Sequence, residues 1–246
     1  MSRRAWVRQI MGMPISIHIR AADVDSSALA HGVEAAFDLL YEADRLFSTY
    51  KQDSEVSRIR RGELDPDRCD PLVQQVISEC HQARELTQGA FTDRLPGEDG
   101  VLGFDPTGLV KGWAADRAAS RLAELSGVSY CLNAGGDVVV GDMAGEAGDG
   151  SAAPWRVGIE DPRDRSRIAE VVELRQGAVA TSGNAARGAH LYDPLAGTFV
   201  ERTGSITVVG PNLMWADVWA TALFVGPPWL HDIFAEVSGG YRMILL

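Results

Sequence analysis

Apolar and polar residues alternate strictly through Ile15-Ser-Ile-His-Ile19, and Val7, Ile10 and Met13 precede that run. The pattern predicts one or two strands across residues 5–20, with Gly12 marking a bulge or a close backbone approach. The period then becomes helical. Leu29, Val33, Ala36, Phe37, Leu40, Ala43 and Leu46 define one face of a helix over Ser26–Phe47. Ser54 stands where it would cap a short helix, and Asp70-Pro71 opens another over Asp70–Gln88 that Gly89 stops. Residues 89–110 read as a glycine- and proline-punctuated loop, and Lys111–Ser126 as an alanine-rich helix ended by Gly127. Two strands are expected in Val128–Val140 around Asn133-Ala-Gly-Gly-Asp137, a loop over 144–154, and a strand over Trp155–Ile159. A hairpin of Val171–Leu174 with Ala178–Thr181 follows, then a strand at Ser205–Val209, a helix at Trp229–Val237 and a last strand at Tyr241–Leu246. No internal repeat is visible. Antiparallel hairpins interleaved with helices predict an α+β fold, with residues 1–246 forming a single domain.

Between Pro211 and Pro227 lies an apolar run of helix length whose one charged residue is Asp217. It is too short to span a membrane. A helix of this composition is buried, and a buried carboxylate stays ionised only with a partner, which the run does not itself supply. Thr221, four residues on, shares a helix face with Asp217. Two hard oxygen donors on one face suit Mg²⁺, which takes few protein ligands and keeps waters and phosphate oxygens. The same residues also fit a plain buried helix whose carboxylate is satisfied by a backbone N–H or a distant arginine.

Composition narrows the partners. The chain has 246 residues and a formal net charge of −11 at pH 7. That balance disfavours nucleic acid and anionic membrane surfaces, and an anionic ligand would need a local cation or metal. Cys69, Cys80 and Cys131 form no Cys-x-x-Cys pair, so reduced buried thiols are expected. Ser2-Arg3-Arg4 is followed by Arg8 and no apolar signal core, which reads as a cytoplasmic chain with no stable membrane insertion.

Two further stretches carry candidate chemistry. Asp105-Pro-Thr-Gly108-Leu-Val-Lys111-Gly112 runs into a helix start beside a lysine, a natural anion site, without Walker spacing. An ordinary capped helix start explains it equally well. Ala180-Thr-Ser-Gly183, Arg187 and His190-Leu-Tyr-Asp193-Pro194 bring hydroxyls, a cation, an imidazole and a carboxylate into one loop-rich segment. His190 is suited to neutral-pH proton transfer, although a lone loop histidine is more often structural. No Ser-His-Asp order, nucleophile elbow or His-Glu-x-x-His occurs.

Seven segments in this order resemble the ApbE family, the FAD:protein FMN transferases. They are Met11-Gly12, Ser48-Thr-Tyr50 with Asp53–Arg58, and Asp105–Gly112 with Asp116. Asn133–Asp137, Ala180–Gly183, His190–Pro194 with Gly197, and Ala216-Asp217 with Ala220-Thr221 complete the set. The resemblance implies an ApbE/T-fold-like α+β domain that binds FAD and Mg²⁺. It implies splitting of the FAD pyrophosphate, transfer of FMN to a threonine or serine of a target protein (protein flavinylation), and release of AMP. Asp217 and Thr221 would be Mg²⁺ ligands, with Gly108 adding a carbonyl. Met11, Tyr50, Asp105, Lys111 and Asp193 would lie along the FAD, and His190 would activate the acceptor hydroxyl. FAD and the target protein are the expected partners, nucleic acid is not, and a homodimer is allowed.

The pattern also departs from the family. Met-Gly-Met13 replaces Met-Gly-Thr, the stretch after Phe91 is cut to Thr92-Asp-Arg-Leu-Pro-Gly, and Asn184-Ala-Ala-Arg187 stands where a tyrosine is usual. An FAD pyrophosphatase giving FMN and AMP, or a non-catalytic flavin-binding protein, are the alternative readings.

Overall fold

In the computed structural model the N-terminal alternation forms two full strands, β1 (Ser2–Ile10) and β2 (Met13–Ala21), antiparallel from Ser2↔Ala21 to Ile10↔Met13. Only Met11 and Gly12 lie between them, at φ 52° and 72°. Both values are left-handed, as the tight turn that matches strand twist requires. Gly12 is therefore neither a bulge nor a close approach, but half of the hairpin turn. The structure describes residues 1–97, 99–142, 153–184 and 191–246.

Helix α1 (Ser27–Phe47) starts after Ser26, whose hydroxyl accepts from the Leu29 N–H, and its predicted apolar face is buried. Ser54 caps α2 (Glu55–Arg60) and Asp70 caps α3 (Pro71–Leu86), both as expected. The expected loop over 89–110 contains a small ribbon, β3 (Arg94–Pro96) with β4 (Leu102–Phe104), too short to give a readable period. Helix α4 (Thr107–Ala123) begins a turn before Lys111. Asp105 explains the early start: its Oδ1 accepts from the Thr107 N–H at 3.1 Å and the Thr107 hydroxyl at 2.5 Å. A short side chain doing this fixes the first helical turn.

Strands β5 (Ser129–Ala134) and β6 (Asp137–Asp142) turn at Gly135 and Gly136, at φ 64° and 112°. Strand β7 (Trp155–Asp161) pairs with β8 (Asp164–Leu174). Strand β9 (Gly177–Gly183) does not pair with β8, against the expected hairpin, and instead enters the main sheet. The small apolar residues Ala178 and Ala180 belong under a helix, which alternation alone does not reveal. The remaining elements are β10 (Tyr192–Asp193), β11 (Thr198–Phe199), β12 (Ser205–Gly210), α5 (Leu213–Val225), α6 (Leu230–Val237) and β13 (Arg242–Leu245).

The main sheet has seven antiparallel strands in the order β1-β2-β5-β6-β9-β12-β13. On one face Ile15, Ile17, Ile19, Ala180 and Val208 share a core with α1, α4 and α5. On the other, Val138 and Val140 pack on Trp155, while Val179 and Val209 pack on Ile159 and Val172 of the β7–β8 hairpin. Among the described residues no helix is long and apolar enough to cross a membrane.

Helices α4 and α5 meet at Gly112, where a Cβ would lie 2.7 Å from Met214 Cα and 2.9 Å from Leu213 O. Both neighbours are backbone and cannot rotate away. Gly112→Ala is expected to lower stability by about 1–3 kcal/mol, read as a fall in the urea midpoint. Gly239→Ala, with nothing within 4 Å of its added carbon, should leave the midpoint within experimental error. Equal effects of the two would show that helix contact is not what Gly112 protects.

Candidate active site

The start of α5 is fixed from two sides. Asn212 Oδ1 accepts from the Trp215 N–H at 3.1 Å. Asp116, on α4, accepts from the Leu213 N–H at 2.9 Å with one oxygen and from the Met214 N–H at 2.8 Å with the other. Three donors that a helix N-terminus leaves without intrahelical partners are thus satisfied. Burial pushes the Asp116 carboxyl up to about 6, and the bonds from Met214 and Leu213 oppose it.

All of α5 is buried except Trp215 and Thr221. Asp217 therefore enters the interior, and α4 brings a cation to it: Lys111 Nζ lies 3.3 Å from Asp217 Oδ1. The same ammonium contacts Asp137 Oδ2 at the start of β6. The lysine side chain is 22% exposed and each carboxylate 5%. Burial alone would lower the Lys111 pKa, but the charges of Asp137 and Asp217 outweigh it and hold the ammonium above its ordinary range. A lysine thus faces Asp217, a partner that the residues around the acid in the sequence do not indicate.

The elements that carry the cluster, and β9 beside them, also carry hydroxyls. Ser182 Oγ and Thr221 Oγ1 are 2.9 Å apart, joining β9 to α5. The β6–β9 ladder stops at Val138↔Val179, and beyond it the Asp137 carboxylate takes over by accepting the Thr181 N–H at 2.9 Å. The Thr181 hydroxyl bonds that of Thr207 at 2.8 Å. Thr181 lies in a strand as expected, and the strand runs on through Ser182 to Gly183.

Other candidate residues are placed as follows. Met11 forms the β1–β2 turn, and Met13 Sδ lies 2.8 Å from the position a Gly135 Cβ would take, so this hairpin end abuts the turn leading to Asp137. Gly108 lies in the first turn of α4, a helical turn before Lys111, with Phe91 3.5 Å from its would-be Cβ. Asp105 accepts from Thr107, the first residue of that turn, and faces Arg60 Nη1 at 3.6 Å. Tyr50 is 93% exposed on a segment whose Tyr50 and Lys51 N–H groups both donate to Ser48 Oγ. Asp193 Oδ1 accepts from the Leu195 and Ala196 N–H groups and shapes the β10–β11 turn. His190 and Arg187 lie outside the described residues.

Asp137 and Ser182 were not singled out from the sequence, although their segments were. The available signal was a carboxylate placed directly before the buried run Val138–Val140. Among the described residues no three His, Cys, Asp or Glu side chains converge to hold a metal. The available donors are the two carboxylates at the Lys111 ammonium and the Ser182 and Thr221 hydroxyls of β9 and α5, all hard oxygens. That set fits Mg²⁺, which needs few protein ligands, and not a closed thiolate or imidazole site.

Fold and cluster define an α+β protein with a buried, oxygen-rich, cation-holding centre between an antiparallel sheet and two helices. A family model described as the ApbE family matches residues 11–95 and 92–239, and the chain belongs to that family. The FAD:protein FMN transferase of Klebsiella pneumoniae is 33% identical over 156 residues, 58% of this chain and 43% of that protein. The enzyme of the same name from Vibrio cholerae is 27% identical over 241 residues, 76% of this chain and 71% of that protein. The match thus spans less than half the length of the first relative and more of the second. Among solved structures, the ApbE protein of Thermotoga maritima superposes with a TM-score of 0.78 at 20% identity, over 99% of this chain and 94% of that one. The flavin transferase ApbE of Vibrio cholerae gives 0.76 at 22% identity, over 99% and 97%. These show a shared fold.

The Asp116 environment has a measurable signature. Its carboxyl pKa rises from 3.8 to about 6 on folding, so the native state binds the extra proton between those values. Its contribution to stability is therefore expected to fall as pH rises through that window and to stay level above it. Denaturation midpoints in Asp116→Asn should lose this component. Parallel pH profiles for the two proteins would remove Asp116 as its source.

Proposed function

We propose that this chain is a Mg²⁺-dependent FAD:protein FMN transferase, acting as one domain. It splits the FAD pyrophosphate, attaches FMN through a phosphoester to a threonine or serine of a target protein, and releases AMP. The observation that carries this reading is the Lys111–Asp137–Asp217 cluster beside the Ser182–Thr221 hydroxyl pair, in a chain of this family. Relatives named for the same activity support it.

Asp217 and Thr221 would hold the metal, with Gly108 adding a carbonyl and Asp137 close by. When bound, the metal would polarise the phosphoryl group and offset charge on the departing AMP. Lys111 brings a fixed positive charge to a pyrophosphate that a protein of net charge −11 would otherwise repel. Met11 on its turn, exposed Tyr50, Asp105 and Asp193 would frame the rest of FAD. In transfer, the acceptor oxygen forms a bond to the FMN phosphorus as the bond from that phosphorus to the AMP oxygen breaks. The acceptor proton passes to a base, the role assigned to His190, and protein groups serve mainly to position and neutralise. The acceptor is expected to face the cytoplasm.

Intact mass spectrometry of threonine-containing peptides incubated with protein, FAD and Mg²⁺ tests this directly, with AMP followed in parallel. A peptide gaining one FMN phosphoester, lost on chelation, is the expected result. AMP with free FMN and no modified peptide would replace transfer by hydrolysis, and bound FAD without AMP would leave a flavin binder. Asp217→Ala should cut turnover by at least about a hundredfold while circular dichroism stays native. Undiminished turnover would exclude Asp217 from the site. His190→Ala should slow transfer and remove one limb of the pH–rate profile, and an unchanged profile would exclude it as the base.

A further inference from the structure

Two buried carboxylates facing one space repel each other unless a cation lies between them. Asp137 and Asp217 come from different elements, and Lys111 is the cation that contacts both. The two contacts are unequal. Asp137 is the closer partner, whereas Asp217 Oδ1 stands at 3.3 Å, longer than the usual charge-assisted bond of about 2.7–2.9 Å. Asp137 is also held independently, because its Oδ1 accepts the Thr181 N–H. The ammonium is therefore tethered firmly on the β6 side and loosely on the α5 side, where Thr221 lies on the same helix four residues on.

We propose that Lys111 is the resident counter-cation of the metal site. In the metal-free chain it neutralises Asp217. A divalent cation arriving on Asp217 and Thr221 takes over that role, while the ammonium keeps its hold on Asp137. The inference rests on the reading of Asp217 and Thr221 as metal ligands. Its consequence is an affinity for metal set below what the oxygens alone would give, because the incoming ion must displace or crowd a fixed positive charge. A second consequence is that α4, β6 and α5 stay joined when no metal is present. An anionic substrate that draws the ammonium toward itself would relieve the competition, so metal and substrate would strengthen each other's binding.

The test is Mg²⁺ titration of the full chain without FAD, by calorimetry, for wild type, Lys111→Met, Lys111→Arg and Asp217→Ala. Lys111→Met is expected to bind Mg²⁺ at least about tenfold more tightly than wild type, the scale of removing one close like charge. Lys111→Arg, which keeps the charge, should gain less affinity than Lys111→Met, and Asp217→Ala should not bind. In chelator Lys111→Met should melt below wild type, and Mg²⁺ should restore it. If Lys111→Met folds only with metal, competition against a chelating indicator, starting from the loaded protein, measures the same affinity. Unchanged or weaker Mg²⁺ binding in Lys111→Met, with binding abolished in Asp217→Ala, would overturn the counter-cation role and leave the metal site standing. Wild-type affinity in Asp217→Ala would overturn the metal reading itself, and the inference with it.

Discussion

The contact of one lysine with two buried carboxylates is the interaction on which the arrangement of this site depends. Lys111 belongs to α4, Asp137 to β6 and Asp217 to α5, so the ammonium joins three elements that are distant in sequence. Without a cation there, Asp217 would be an ionised group inside a helix that is otherwise almost wholly apolar. The cost of such burial is large enough to decide how the helix packs.

Alignment of the two helices carries that specification further. Gly112 allows backbone contact between α4 and the start of α5, and Asp116 binds the first two N–H groups of α5 from the same helix. Lys111, Gly112 and Asp116 thus act within little more than one turn of α4: one meets the acid, one admits the helix and one fixes its end. The sheet completes the site through β9, where Ser182 meets Thr221 on the helical face. Thr181, its neighbour, bonds Thr207, whose strand neighbour Val209 packs under the β7–β8 hairpin.

Much of this was legible in the sequence because local rules and tertiary demands agreed. Ser54 and Asp70 cap the helices they are expected to cap, and the face of α1 is buried as its period predicts. The apolar run around Asp217 was readable as a buried helix with an acid in need of a partner. The lysine that meets it was not, because Lys111 is more than a hundred residues away and nothing local links the two. The start of α4 differs from the reading since Pro106 and Gly108 look like loop residues until Asp105 is seen to hold Thr107 at the first turn. The place of β9 was misread because strand pairing is a non-local choice, made here by which residues fit beneath α5.

One substitution site bears two kinds of duty. Where the β6–β9 ladder ends, the carboxylate of Asp137 stands in for a main-chain partner of Thr181 and at the same time anchors Lys111. Sheet edge and site charge are therefore not separable traits of this chain. A change at residue 137 that kept the hydrogen bond but lost the charge would leave the strand in place and take from the lysine one of its two carboxylates. A change that moved the strand would shift the charge with it. Sequence drift can repack much of the two faces around β9 piecemeal, but at this position it must solve an architectural and a chemical problem in a single step.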